Sequence, residues 1–231
     1  MPLCVSRAVE FTRADLPELT VKVLRPGDGS RPDVRLIRAG DRLLVVKDYA
    51  AGANSIKRFL GRWLVNRELA AYNRLHDLPG IPVCYGRLDP WALVTEYHDT
   101  EEVPLTDPAR LTEEFFAQLR ELVGKIHERG VAHGDLRRLN NILIDRSNRP
   151  VIIDFTAAFT RGFKPLTALI LPRLFVNDLQ GICKLKARHA PHLLSDEEKH
   201  FMKQRSPAER AFRWLRDRIR PGLQRLSGGE P

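Results

Sequence analysis

Followed by its apolar and polar positions, the first hundred residues alternate as short strands around a single helix. Residues 19–24 alternate, and Pro26-Gly27-Asp28-Gly29-Ser30 then breaks the chain. Residues 34–37 and 43–46 are apolar runs either side of Ala39-Gly40-Asp41, the signature of a β-hairpin. From 55 to 75 the period lengthens. Ile56, Leu60, Trp63, Leu64, Leu69, Tyr72 and Leu75 recur at three- and four-residue steps, which predicts a helix. Two more strands are expected at 83–86 and 92–96. Residues 99–108 are polar, contain two prolines and read as a boundary between lobes. Beyond them, 111–129 sets Phe115, Phe116, Leu119, Leu122, Val123 and Ile126 on one face and stops at Gly130, as an amphipathic helix does. Apolar runs at 142–144 and 151–153 each end at an aspartate. The remainder reads as helical, with capping boxes from Ser195 to Glu198 and from Ser206 to Glu209. The pattern predicts an α+β, two-lobed chain: a strand-rich lobe over 1–98, a reduced helical lobe over 99–205, and a basic amphipathic helix and tail over 206–231.

Composition narrows the class. With 43% hydrophobic and 29% charged residues among 231, the chain has ordinary globular usage, and a disordered chain is excluded. The net charge of +9 is uneven: residues 1–160 carry 23 basic and 22 acidic side chains, residues 161–231 carry 15 and 7. Between 203 and 225 there are eight basic residues and two acidic ones, with an apolar stripe of Ala208, Phe212, Leu215 and Ile219. Such a helix suits an anionic membrane surface; the competing expectation is that the stripe packs on the helical lobe. Nucleic acid ranks last as a partner, because only Phe212 and Trp214 interleave with the charge and no recognition motif is present. Cys4, Cys84 and Cys183 are far apart and odd in number, so neither a disulfide framework nor a zinc site is expected. The start lacks a signal-peptide pattern, and no apolar run approaches the roughly 20 residues of a spanning helix. These features suggest a reducing, cytoplasmic setting, peripheral to a membrane at most.

The chemistry concentrates in His133-Gly134-Asp135-Leu136-Arg137-Arg138-Leu139-Asn140-Asn141, followed by Asp154-Phe155. This matches the H-x-D-x-x-x-x-N loop and the later D-F of protein-kinase-like phosphotransferases. In-line transfer from ATP needs a carboxylate to orient and deprotonate an acceptor hydroxyl, and oxygen ligands to hold Mg²⁺ against the phosphates. Asp135 fits the first role; Asp154 with Asn140 or Asn141 fits the second. Spacing from Asp135 selects Asn140, whereas the Asn-Ile-Leu context selects Asn141, so both stand. Upstream, Leu43-Leu44-Val45-Val46-Lys47 is a strand ending in a lysine suited to the phosphates, and Glu68 lies 21 residues on, inside the helix, where it can pair with Lys47. Leu93-Val94-Thr95-Glu96-Tyr97 runs from a strand into a connector, like a hinge that receives adenine.

Singly, each residue has an ordinary structural explanation. Lys47 could reach water from a strand end, Glu68 could be a solvated helix carboxylate beside Arg67, Asp154 could cap a loop, and His133 suits packing better than catalysis. The joint order and spacing favour the chemical explanation. Departures from the protein-kinase pattern are also plain: Gly134 replaces the arginine of H-R-D, Thr156 replaces the glycine of D-F-G, no A-P-E follows, and only Gly27 and Gly29 are available to cover phosphates.

Over residues 34–154, and most specifically 133–155, the chain resembles the compact bacterial kinase-like proteins related to the RIO kinases and to the lipopolysaccharide-core (Kdo and heptose) kinases. That resemblance implies a bilobal protein-kinase-like fold with a reduced C-lobe, ATP as donor and Mg²⁺ as cofactor. It implies Asp135 as base, Lys47 and Glu68 as a phosphate-gripping pair, Glu96, Tyr97, Gly27 and Gly29 around the nucleotide, and Asn140 or Asn141 with Asp154 at the metal. It also implies that Asp178 supports the catalytic loop from beneath. Because H-G-D is common among kinases of small molecules and glycans, the implied acceptor is a sugar hydroxyl of lipopolysaccharide or another envelope glycan. The alternatives are a RIO-like protein serine/threonine kinase, a RIO-type kinase associated with nucleic acid, and a pseudokinase that only binds.

Overall fold

The structure is a computed structural model that describes residues 10–27, 31–50, 55–98, 107, 109–162 and 165–203, with side chains at all of these except 55–58 and 165–169. The chain divides into two units, Met1–Leu193 and Leu194–Pro231. In the first unit a short helix, α1 (Leu16–Leu19), leads into β1 (Thr20–Arg25), β2 (Asp33–Ala39) and β3 (Arg42–Asp48). Helix α2 (Ser55–Leu75) then precedes β4 (Cys84–Asp89) and β5 (Ala92–Glu96). These strands form one antiparallel sheet in the order β1-β2-β3-β5-β4. The β2–β3 hairpin closes through Gly40 and Asp41, with Ala39 opposite Arg42 and Gly40 at φ +58°.

The period of two along the strands decides what the sheet does. On β3, Leu44 and Val46 enter a core with Ile37, Tyr85, Ala92, Val94 and Leu16. Val45 and Lys47 therefore point to the opposite face, as Leu93 and Thr95 do on β5, and all four line a cavity. One alternation thus builds a core on one side of the sheet and a binding surface on the other. Arg13 ties the sheet's end to the segment before α1, reaching Asp48 through two hydrogen bonds of 2.5 and 3.0 Å and Asp89 through one of 2.5 Å.

The second core is helical. Helix α3 (Glu113–Glu128) starts where the Thr112 hydroxyl accepts from the Phe115 N–H at 3.1 Å, and Gly130 at φ +70° follows its end. Its six predicted apolar positions are all buried. They pack with Val65, Tyr72 and Leu75 of α2 and with Ile182 and Leu185 of α4 (Pro165–His189), so one core joins sheet, α2 and the helices behind them. Two small ribbons complete the unit: β6 (Val131–Ala132) with β9 (Phe159–Thr160), and β7 (Ile142–Ile144) with β8 (Pro150–Ile152). The β6–β9 pair was not foreshadowed, because two-residue strands carry no period.

In the second unit the described element is α5 (Asp196–Lys203). The capping box that opens it is formed: Ser195 Oγ accepts from Glu198 N–H and Glu198 Oε2 accepts from Ser195 N–H, both at 3.1 Å. The box from Ser206 to Glu209, the basic stretch beyond 203, Gly29, Cys4 and the connector at 99–106 lie outside the described residues. Cys84 and Cys183 are buried thiols. Among the described residues, no helix is long and apolar enough to cross a membrane.

Candidate active site

A cavity of about 370 Å³ lies beneath the sheet. Lys47, Glu68, Tyr72, Asn140, Asn141 and Asp154 contribute to its walls, and Glu96, Tyr97 and His98 line it where β5 ends. Most of the residues singled out by sequence thus meet in one cleft. Gly27 sits differently, packed on the Asp33 and Arg31 backbone (an added Cβ would lie 3.0 Å from Asp33 N), just beyond the lining residues Leu24 and Arg25.

Lys47 is the hub. Its ammonium group donates to Glu68 (3.0 and 3.1 Å), to Asp154 Oδ1 (2.6 Å) and to Thr156 Oγ1 (2.5 Å), so three protons meet three acceptor groups. Glu68 is only 2% exposed, which excludes a solvated carboxylate, and Lys47 is likewise turned inward. Arg67, its neighbour, points elsewhere: Nε and Nη2 donate to the carbonyls of Ala158 and Ala157 at 2.6 and 2.7 Å, tying α2 to the segment after Asp154. Burial works against a charged Lys47, yet the charges of Glu68 and Asp154 hold its pKa above the ordinary lysine value. Burial also opposes ionisation of Asp154, but the Lys47 charge and hydrogen bonds from Lys47 and Thr156 keep that carboxyl well below its usual range. Glu68 is raised, because its complete burial outweighs a cation it shares with Asp154.

Asp154 also caps the turn Phe155–Ala157, accepting from Thr156 N–H at 3.3 Å, with φ +63° and ψ +70°. A left-handed non-glycine residue costs of order 1–3 kcal/mol and persists where its surroundings over-determine it. Here those surroundings are the Lys47 and Thr156 contacts and the Tyr72 hydroxyl, bonded to the Asp154 backbone. Thr156 and Tyr49, whose hydroxyls lie 3.2 Å apart, were missed as members of the site. Tyr49 was accessible in principle, since it follows Lys47 at the strand period of two. Thr156 stood only as a departure from D-F-G.

Asp135 is not among the residues that line the cavity and sits in the 133–141 loop beside it. Its N–H donates to His133 Nδ1 at 3.2 Å, so the other ring nitrogen, Nε2, carries the proton it donates to the Ile153 carbonyl at 3.0 Å. Burial pushes the His133 pKa down, and a neutral ring wedged between two backbone groups is structural, as expected. Asn141 donates from Nδ2 to the Asp135 carbonyl at 3.0 Å, which leaves its Oδ1 as an acceptor for the cleft. The Asp135 carboxylate meets exposed guanidinium groups, Arg138 at 2.9 Å and Arg137 at 3.4 Å.

Beneath the loop, Asp178 of α4 accepts from the backbone N–H groups of His133 (2.7 Å) and Gly134 (2.8 Å) and faces His127 Nε2 at 3.1 Å. Two glycines permit this packing. Gly134 has φ +83° and a Cβ there would meet the Ala157 carbonyl oxygen at 2.6 Å; a Cβ at Gly181 would meet Arg137 N at 3.1 Å. The glycine of H-G-D is therefore demanded by a backbone approach.

Among the oxygens lining the cleft, which include those of Glu68, Glu96 and Asn140, the Asp154 carboxylate and the Asn141 amide oxygen match a pair expected at a metal. Among the described residues no group of three or more His, Cys, Asp or Glu forms a metal cage. Two protein oxygens do not make an independent metal site, but they suit a Mg²⁺ ion whose remaining ligands are phosphates and water.

No family model matches the chain, and no curated protein matches it. Solved structures do. The crystal structure of the Rio2 kinase from Chaetomium thermophilum aligns with TM-score 0.58 and 21% identity, covering 82% of this chain and 65% of that one. The crystal structure of the Rio2 kinase-ADP/Mg²⁺-phosphoaspartate complex from the same organism aligns with TM-score 0.56 and 20% identity, covering 83% and 65%. The chain thus spans less than two thirds of the length of these neighbours. At such identity the likeness speaks for architecture alone, and the architecture it establishes is the bilobal, protein-kinase-like α+β fold of the RIO kinases.

Proposed function

We propose that this chain is an ATP-dependent phosphotransferase that moves the γ-phosphate to an alcohol group. One observation carries the proposal: Lys47 bridges Glu68 at 3.0 Å and Asp154 at 2.6 Å on the wall of a cleft that also holds Asn141 and a β5 hinge. A binding-only pseudokinase has no use for this complete set. Adenine enters beside Glu96 and Tyr97. Lys47 exchanges its contacts with Asp154 and Thr156 for nucleotide phosphates, while Glu68 keeps the ammonium in place. Asp154 and Asn141 are the residues that would hold Mg²⁺, which when bound supplies neutralisation of phosphate charge. Asn141 is preferred over Asn140 because its amide nitrogen is anchored on the Asp135 carbonyl, which orients the oxygen. Asp135 orients the acceptor hydroxyl and takes its proton, and the arginines now on it are exposed enough to release it.

The acceptor is the finer question. The sequence argument for a glycan rested on the glycine of H-G-D, and Gly134 has a packing reason that is independent of acceptor class. The Rio2 neighbours favour a RIO-like protein acceptor over a lipopolysaccharide sugar. The basic stretch beyond 203 remains a sequence-based reason for an anionic membrane or acceptor. Radiolabelled ATP with Mg²⁺ and parallel panels of protein and lipopolysaccharide-fragment acceptors tests both assignments. Asp135→Ala should lower transfer by roughly 10²–10⁴-fold, the usual contribution of a general base, while Mg-ATP still raises the melting temperature. Normal turnover by that variant removes the assignment of the base.

A further inference from the structure

The first half of α2 presents a surface that the cleft does not use. Phe59 is 77% exposed, Leu60 51% and Trp63 49%. Phe59 and Trp63 are one helical turn apart and share a face. Phe159 of β9 is exposed too and belongs to the same patch, because the Arg67 guanidinium lies 5.1 Å from the Trp63 ring centre and 4.3 Å from that of Phe159. The stretch of sequence that carries Phe59 and Trp63 has charge of one sign. Residues 49–67 include Lys57, Arg58, Arg62 and Arg67 and no acidic residue, and the next carboxylate, Glu68, is buried against Lys47. Exposed apolar rings on a stretch whose sequence carries only positive charge mark an interaction surface.

We propose that this end of α2 docks on an anionic bilayer. Phe59, Leu60 and Trp63 enter the interfacial region, and the positive charge of the helix supplies attraction to the headgroups. Charge complementarity selects the occupant. A second copy of this helix, or the chain's own stretch at 203–225 with eight basic and two acidic residues, has the same sign. A single-stranded nucleic acid would match the charge but stacks successive bases on several open rings, and here Arg67 already lies over Trp63 and Phe159, which leaves Phe59 as the free ring of the three. An aliphatic Leu60 beside a largely exposed Phe59 calls for an apolar phase, which a bilayer interface offers and nucleic-acid phosphates do not. The proposal makes no use of the basic stretch beyond 203 and does not depend on the kinase reading.

The test is flotation of the full chain with phosphatidylcholine vesicles, with and without phosphatidylglycerol, across a salt series. The expected result is binding to the phosphatidylglycerol vesicles that weakens with salt, and a loss of about tenfold or more in partitioning for F59E/L60E at an unchanged melting temperature. A variant with Arg213, Arg216 and Arg220 replaced by glutamate separates the two basic regions. If it alone loses vesicle binding while F59E/L60E floats like the wild type, the surface is misassigned. Equal binding to neutral vesicles, or no vesicle binding beside salt-sensitive binding of single-stranded RNA, also overturns the proposal.

Discussion

Asp154 and Asp178 are both multiply hydrogen-bonded carboxylates, and their partners differ in kind. Asp178 holds two backbone N–H groups of the 133–141 loop and faces a histidine that is stacked on Phe175 with ring centres 4.1 Å apart. None of these partners can leave without opening the loop or the helices. Asp154 holds a lysine ammonium and a threonine hydroxyl at 2.6 Å each, both on rotatable side chains, and meets a backbone N–H, that of Thr156, at the longer 3.3 Å. A carboxylate committed to backbone amides is a fixture, whereas one committed to side chains can exchange them for a ligand. The contrast separates the scaffold of this site from its chemistry.

If that separation holds, the two aspartates respond to substitution on different axes. Asp154→Asn keeps the shape and leaves Lys47 paired with Glu68, so melting should drop by only a few degrees, less than on loss of Asp178. Transfer should fall by roughly 10³-fold or more, as expected when a group stabilising transferred charge is removed. Radiometric assay beside calorimetry reads both quantities. Asp178→Ala should do the reverse in the first instance. Two buried N–H groups lose their acceptor, at about 1–3 kcal/mol each. Melting should drop by roughly 5–15 °C, using about 2–4 °C per kcal/mol for a chain of this size. Activity measured well below that lower midpoint should fall far less than in Asp154→Asn. An Asp178→Ala protein with wild-type melting would erase the distinction.

The two regions were also unequally legible in the sequence. Helix α2 was delimited to the residue because its apolar positions keep one period through a long element. The Lys47–Glu68–Asp154 meeting was accessible because each residue sits in a recurring motif at a recurring spacing. Thr156 and Tyr49 were missed because hydroxyl residues beside a charged cluster have no pattern of their own; only the folded turn at 155–157 brings Thr156 to Lys47. Gly134 was noted as a departure, but its reason, the Ala157 carbonyl at 2.6 Å from a would-be Cβ, belongs to a contact 23 residues away in sequence. Short-range patterns show in a sequence, and close approaches between distant segments do not.

The scaffold side makes a pH prediction of intermediate size. Burial lowers the His133 pKa from the ordinary 6.5, so the folded chain keeps this ring neutral at a pH where the unfolded chain protonates it. The unfolded state therefore binds more protons below pH 6.5, and stability supplied by a neutral His133 is lost as pH falls from there toward the folded-state value. His133→Leu should be less stable than wild type at pH 7, because Asp135 N–H and the Ile153 carbonyl lose their partners. The gap should narrow on acidification by up to about 1.4 kcal/mol per pH unit. Urea unfolding on both sides of the histidine range measures it, and a gap independent of pH would show that the ring is not neutral for the reason given.

The smallest effect is expected within the exchangeable cluster itself, at Thr156. Its hydroxyl has one proton, which goes to Asp154 at 2.6 Å in preference to Glu68 at 3.1 Å, while its oxygen accepts from Lys47. Thr156→Val keeps the volume and removes both functions. Lys47 still meets Glu68 and Asp154, so the ion cluster survives with one acceptor fewer, at a net cost of about 1–2 kcal/mol. Transfer should fall by less than about tenfold, because the hydroxyl positions Asp154 and touches no reacting atom in the proposed chemistry. Thr156→Ser should restore both values, since it keeps the proton and the acceptor. A Thr156→Val rate as low as that of Asp154→Asn would instead place the hydroxyl among the reacting groups, because an exchangeable tether to Lys47 cannot account for a loss of that size.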